Sequence, residues 1–66
     1  MDNKGLLQTI EETHNWTAKA ILELRELVAR EEMYTEKAIQ DMKNEILTNI
    51  QLTITEMELL SFELEG

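Results

Sequence analysis

Apolar residues recur every three or four positions along almost the whole of this chain, and no proline interrupts them. This spacing is typical of amphipathic helices, because residues three and four apart share one helix face. The pattern therefore predicts an all-α protein with one apolar stripe in each half of the chain. The first stripe contains Leu7, Ile10, Ile21, Leu24 and Val28, and the second contains Ile39, Met42, Ile46, Ile50, Met57, Leu60 and Leu64.

The stripe loses its register between residues 31 and 35. Glu31 takes the position at which an apolar residue would follow Val28. Glutamates in the last turn of a helix face its negative end, which is unfavourable. Thr35, in contrast, belongs to the residue types that cap the start of a helix. We therefore predict a break in the helix at about residues 31–35.

This break divides the chain into helices at about residues 6–30 and 36–64, within a single domain spanning residues 1–66. Asp2 or Asn3 is available to cap the first helix. An antiparallel hairpin would let the two apolar stripes face each other. The alternative is one continuous helix in a coiled coil, because no glycine or proline marks the turn.

The small size of the chain predicts self-association. A domain of 66 residues buries only about 60% of the surface of its unfolded chain, so its stability is marginal. The chain has no cysteine, which excludes disulfides and leaves oligomerisation as the ordinary way to gain stability. We predict a homodimer that forms a four-helix bundle, with the residues of both stripes as the oligomer interface.

The net charge of −8 restricts the possible partners. Direct binding to nucleic acid depends on cations that neutralise phosphates, and anionic membranes impose the same demand. We therefore predict neither a nucleic-acid nor a membrane partner, but a second protein with a basic surface. The first residues lack the apolar segment of a signal peptide, and cysteine is absent, so we expect a cytoplasmic protein.

No motif indicates catalysis, and we predict neither an enzyme nor a bound cofactor. The pair Glu11 and His14 has the Glu-x-x-His spacing of di-iron carboxylate bundles, in which both side chains point toward one ion. Glu36 or Glu45 from another helix would complete such a site. A single histidine without a second motif is more simply explained as a polar residue in a helix interface, so metal binding remains the minor alternative.

Several apolar residues of the second helix fall outside its main stripe, which indicates contact from a second side. Trp16 lies on the flank of the first stripe, and large aromatic side chains dominate binding energy at interfaces. A charged rim around apolar residues is typical of a docking site. The residues predicted to bind a partner are Leu52, Leu59, Phe62, Glu58 and Trp16.

Together these features predict a non-enzymatic, acidic protein-interaction module. It would bind and modulate a partner, such as a nucleic-acid-binding regulator, as a homo-oligomer. The alternative is a structural adaptor or scaffolding protein whose self-association is itself the function. The size and acidity are also those of accessory proteins encoded by phages or plasmids.

Overall fold

The chain folds as an antiparallel hairpin of two long helices, as shown by a computed structural model that describes residues 2–66. Helix α1 spans Asn3–Arg30 and helix α2 spans Glu36–Glu65, with a short 3₁₀ turn at Glu31–Met33 between them. The Cα atoms extend over 47 × 13 × 13 Å. The all-α hairpin predicted from the sequence is thus confirmed, and the continuous-helix alternative is wrong.

Both helices begin with a side-chain cap, as their sequences predict. The carboxylate Oδ1 of Asp2 accepts a hydrogen bond from the Gly5 backbone N–H at 2.7 Å. At the start of α2, the Oγ1 atom of Thr35 accepts from the Ala38 N–H at 3.1 Å. Each cap satisfies a backbone donor that has no partner within its helix. These local contacts fix where each helix starts.

The turn between the helices needs no glycine, because no residue in the described part of the chain has a positive φ angle. The chain leaves α1 at Arg30, whose φ and ψ are −132° and 25°, and enters α2 through Tyr34 in an extended conformation. The Tyr34 hydroxyl donates a hydrogen bond of 2.6 Å to the carboxylate of Glu26. This bond ties the turn to the end of α1.

The buried contact between the two helices, called here the seam, is narrow and partly polar. Its buried residues are Thr13, Ala20 and Leu27 of α1 and Ile46 and Asn49 of α2. The three residues of α1 are seven positions apart, which is the repeat of two helices that coil around each other. The small side chains at two of these positions let the helix backbones approach closely.

The two apolar stripes therefore do not face each other directly, contrary to the expectation from the sequence. The stripe of α1 lies beside the seam, and its residues, such as Ile21 and Leu24, remain exposed in the single chain. In α2, Ile46 enters the seam, whereas Ile50 and Met57 lie outside it. The physical reason is that the seven-residue repeat at the seam, which includes Ala20, lies one position before the repeat of larger apolar side chains, which includes Ile21.

Hydrogen bonds between side chains cross the seam along much of its length. The Thr13 hydroxyl lies 3.0 Å from Oε2 of Glu56, and the hydroxyls of Thr17 and Thr53 are 3.4 Å apart. Nearer the turn, the Asn49 amide donates to Oε1 of the Glu23 carboxylate at 3.2 Å. Every buried side-chain nitrogen or oxygen of residues 2–66 has a hydrogen-bond partner. The hairpin thus uses polar contacts internally and leaves much of its apolar surface outside.

Candidate interaction surfaces

Large apolar side chains from both helices cover one long side of the hairpin. Near the free ends, Ile10 lines a groove with Met57 and Leu64. In the middle, Ile21 and Leu24 line a second groove together with α2, and Val28 continues this surface toward the turn. We call this surface the apolar face, and it consists of Ile10, Ile21, Leu24, Val28, Ile50, Ile54, Met57 and Leu64.

The structure divides the residues predicted for the oligomer interface into three groups. Ile46 is buried in the seam, and three further residues of α2 are partly buried, namely Ile39, Met42 and Leu60. Leu60 lines the groove near the free ends. Seven residues lie on the apolar face, and Leu7 shares a helix row with Ile21 and Val28 at its margin. All eight of these are exposed: Leu7, Ile10, Ile21, Leu24, Val28, Ile50, Met57 and Leu64.

One residue of the apolar face was left out of the predicted interface. Ile54 is 44% exposed and lines the central groove with Ile21 and Ile50. The signal was present in the sequence, because Ile54 follows Ile50 by four positions and therefore shares its helix face.

Two polar residues lie among the apolar side chains of α1. His14 belongs to the helix row of Leu7, Ile21 and Val28, at the seven-residue spacing, and it is exposed in the single chain. Thr17 lines the central groove but also reaches the seam through Thr53. A polar position within an apolar helix interface restricts the register in which helices pair.

In the described part of the chain, the fold brings no third ligand to the metal site that the sequence suggests at Glu11 and His14. Glu11 and His14 are both exposed, and no group of three histidine, aspartate or glutamate side chains that could hold an ion occurs within residues 2–66. In the same part of the chain, neither helix has a segment that is long and apolar enough to cross a bilayer.

A cavity lies on the other side of the seam, between the middle of α1 and the second half of α2. Its volume is about 470 Å³, and one wall is the partly buried ring of Trp16. The ammonium of Lys19 lies 5.8 Å from the centre of this ring. We call this feature the Trp16 cavity, and it is lined by Glu12, Asn15, Trp16, Lys19, Leu52 and Glu56.

The Trp16 cavity brings together two of the five residues predicted to bind a partner, Trp16 and Leu52, although they are on different helices. The other three, Leu59, Phe62 and Glu58, are exposed on α2 and do not line it. The sequence pattern does not connect Trp16 with α2, because it does not define how the helices pair. Their proximity follows from the register of the hairpin.

A small group of charges extends from the Trp16 cavity toward the turn. Lys19 bridges the helices through an ion pair of 3.7 Å with Glu45. Burial raises the pKa of Glu23, and the nearby Glu45 carboxylate raises it further, while Lys19 and the hydrogen bond from Asn49 lower it. The two carboxylates therefore repel each other across the seam and are only partly compensated by one cation.

Comparison with protein families, with curated proteins and with solved structures yields no match for this chain. The apolar face and the Trp16 cavity are the two surfaces of the hairpin that indicate a function.

Proposed function

We propose that this protein is a non-enzymatic interaction module that acts as a homodimer. Two hairpins would pack through their apolar faces and form a four-helix bundle. The observation that carries the proposal is the apolar face itself, which extends along both helices, while only Ala20, Leu27 and Ile46 are buried apolar residues within the described chain. A core of this size supports a hairpin poorly, and a second copy would add the missing burial.

The area of the apolar face approaches that of a typical stable dimer interface. With Cα extents of 47 and 13 Å, one side of the hairpin measures on the order of 600 Å² before the side chains widen it. A typical stable interface buries about 800 Å² on each partner. The side chains of the face are aliphatic, and Arg25 is a cation that lines its groove beside Leu24 and Val28. The acidic residues Glu12 and Glu23 lie on other sides of the hairpin. A charge-poor interior is typical of obligate homodimers.

A dimer of this form would present an acidic outer surface with the Trp16 cavity still accessible. The cavity lies across the seam from the apolar face, because it contains Leu52 and Glu56 whereas the central groove contains Ile50 and Ile54. The net charge of −8 per chain favours a basic protein as the partner. Binding of such a protein is therefore the function that we propose for the outer surface.

The test compares two substitutions with the same chemistry on opposite sides of α1. Leu24 lies on the apolar face and is 47% exposed in the single chain, and Leu22 is 64% exposed on the outside of the hairpin. Leu24→Asp would bury an unpaired carboxylate in the dimer, at a cost of several kcal/mol. Sedimentation equilibrium should show a dimer for the unmodified chain and for Leu22→Asp, and a dissociation constant at least about 100-fold higher for Leu24→Asp.

The unfolding temperature provides a second test of the dimer, which remains informative even if Leu24→Asp does not fold. A dimer that unfolds to separate chains becomes more stable as its concentration rises. We expect this dependence for the unmodified chain and for Leu22→Asp over a 100-fold range of concentration. A folded, strongly helical monomer that shows no such dependence would refute the proposal, as would equal effects of the two substitutions.

A further inference from the structure

The Trp16 cavity combines an aromatic wall, an aliphatic wall and carboxylates from both helices, and the proposed dimer interface uses none of these walls. Glu12 belongs to α1, and Glu56 to α2. The Oε2 atom of Glu56 lies 3.0 Å from the Thr13 hydroxyl in the seam, and this hydroxyl shares its single hydrogen with the Thr9 carbonyl oxygen at 2.8 Å. The carboxylate of Glu12 accepts only a long hydrogen bond of 3.4 Å from Gln8 on the helix surface. Carboxylates from both helices therefore line the same space as the ring of Trp16.

The chain itself shows that this site accepts a cation. The ammonium of Lys19 lies over the Trp16 ring, where the electron-rich face of an indole attracts positive charge. Lys19 also pairs with Glu45 at 3.7 Å, and this carboxylate lies outside the cavity lining. Both the Lys19 and the Glu45 side chains are about half exposed, with relative exposures of 53% and 55%, so they can move without disturbing the seam. An incoming cation could therefore displace Lys19 toward Glu45.

We propose that the Trp16 cavity binds an arginine side chain presented by a basic segment of a partner protein. The inference rests on the proposed function as an interaction module and specifies the chemistry of its partner. A guanidinium group stacks on the flat indole face and donates several hydrogen bonds in its plane, which suits a space lined by the Trp16 ring and by the carboxylates of Glu12 and Glu56. Leu52 would cover the aliphatic part of the arginine side chain.

Charge complementarity favours a basic protein over other ligands that could stack on the Trp16 ring. The chain carries 14 acidic and 6 basic residues. A nucleic acid could stack a base on Trp16, but its phosphates would face the carboxylates of Glu12 and Glu56. A basic peptide would gain from both the ring and the surrounding field. Arginine rather than lysine is expected, because only the planar group can stack and donate to both carboxylates together.

The experiment uses Trp16 as its own reporter, because it is the only tryptophan of the chain. Its fluorescence is titrated with a nine-residue arginine peptide and, at the same ionic strength, with a lysine peptide of equal length. The test variant is Glu12→Gln. The control is Glu11→Gln, which makes the same change in net charge at the neighbouring position, outside the cavity lining.

We expect a saturable fluorescence change, with the arginine peptide binding at least about threefold more tightly than the lysine peptide. Glu12→Gln should weaken arginine-peptide binding by about fivefold, and Glu11→Gln by less than about twofold. Equal effects of the two variants would show nonspecific attraction to an acidic surface and would overturn the proposal. An unchanged Trp16 signal, or tighter binding of a single-stranded oligonucleotide, would overturn it as well.

Failure of this inference is distinguishable from failure of the proposed dimer. Sedimentation of the same samples reports the oligomeric state independently of the fluorescence. A dimer without a peptide response would refute the arginine site alone. A monomer with a saturable, Glu12-dependent response would refute the dimer and keep the site.

Discussion

Replacement of Leu27 by alanine tests whether the seam holds the hairpin together. Leu27 is 7% exposed and is one of the three apolar residues buried between the helices. Truncation of a buried leucine costs about 2–5 kcal/mol, and we expect the lower part of this range, about 2–3 kcal/mol, because a two-helix seam can partly collapse around the gap. In a domain of this size, 1 kcal/mol corresponds to about 4–8 °C, so the unfolding temperature should fall by on the order of 10 °C or more.

The matched control is Leu22→Ala, which makes the same chemical change on the outer surface of the same helix. Because Leu22 is mostly exposed, its truncation should change the free energy of unfolding by less than about 0.5 kcal/mol. Both variants are unfolded by heat and by urea at the same protein concentration and followed by circular dichroism at 222 nm. Similar losses for the two variants, or a larger loss for Leu22→Ala, would show that the seam does not lie where the structure places it.

The remaining predictions concern ionisable groups. The pKa of Glu23 is raised above its ordinary value of 4.5 by burial and by Glu45, so the folded state holds this proton more tightly than the unfolded state does. The free energy of unfolding should therefore decline as the pH rises from about 4.5 through the folded-state pKa. Glu23→Gln should reduce this decline and stabilise the protein at pH 7. Urea unfolding across the pH range at constant ionic strength measures both effects. The hydrogen bond to Glu26 raises the pKa of Tyr34 above 10.0, so ultraviolet titration should show Tyr34 ionising at a higher pH than free tyrosine does, and Glu26→Gln should lower that midpoint. Tyr34→Phe should lower the unfolding temperature through loss of this bond, and an unchanged unfolding temperature would show that the turn does not depend on it.

The elements of the fold were predictable because their signals are local. The break near residue 31 and the cap at Thr35 are each encoded within a few residues, and the structure confirms both. The pairing of the helices is a nonlocal property, and it was not predictable in the same way. A helix wheel places Leu24 in the centre of the stripe, but the actual contact follows a seven-residue repeat through Thr13 and Ala20, which are small or polar.

The Trp16 cavity illustrates the same limit for a candidate site. Trp16 and Leu52 were each identified as candidates from their positions on separate helix faces. Their proximity depends on how the turn at Glu31–Met33 sets the register of α2 against α1. No pattern within either helix contains that information, because any shift by one helical turn would place a different residue opposite Trp16. Only the folded hairpin shows that an aromatic, an aliphatic and two acidic side chains line one space.

The hydrogen bonds across the seam also imply an order in which the hairpin opens. They join residues separated by 26, 36 and 43 positions in the sequence, and the separation grows with distance from the turn. Closing a longer loop costs more entropy, so the pair Asn49 and Glu23 forms most easily and the pair Thr13 and Glu56 last. In the reverse direction, the free ends separate first, while the region beside the turn stays paired. Opening of this kind exposes the first turns of α1 and the last turns of α2 to hydrogen exchange well before the chain unfolds as a whole.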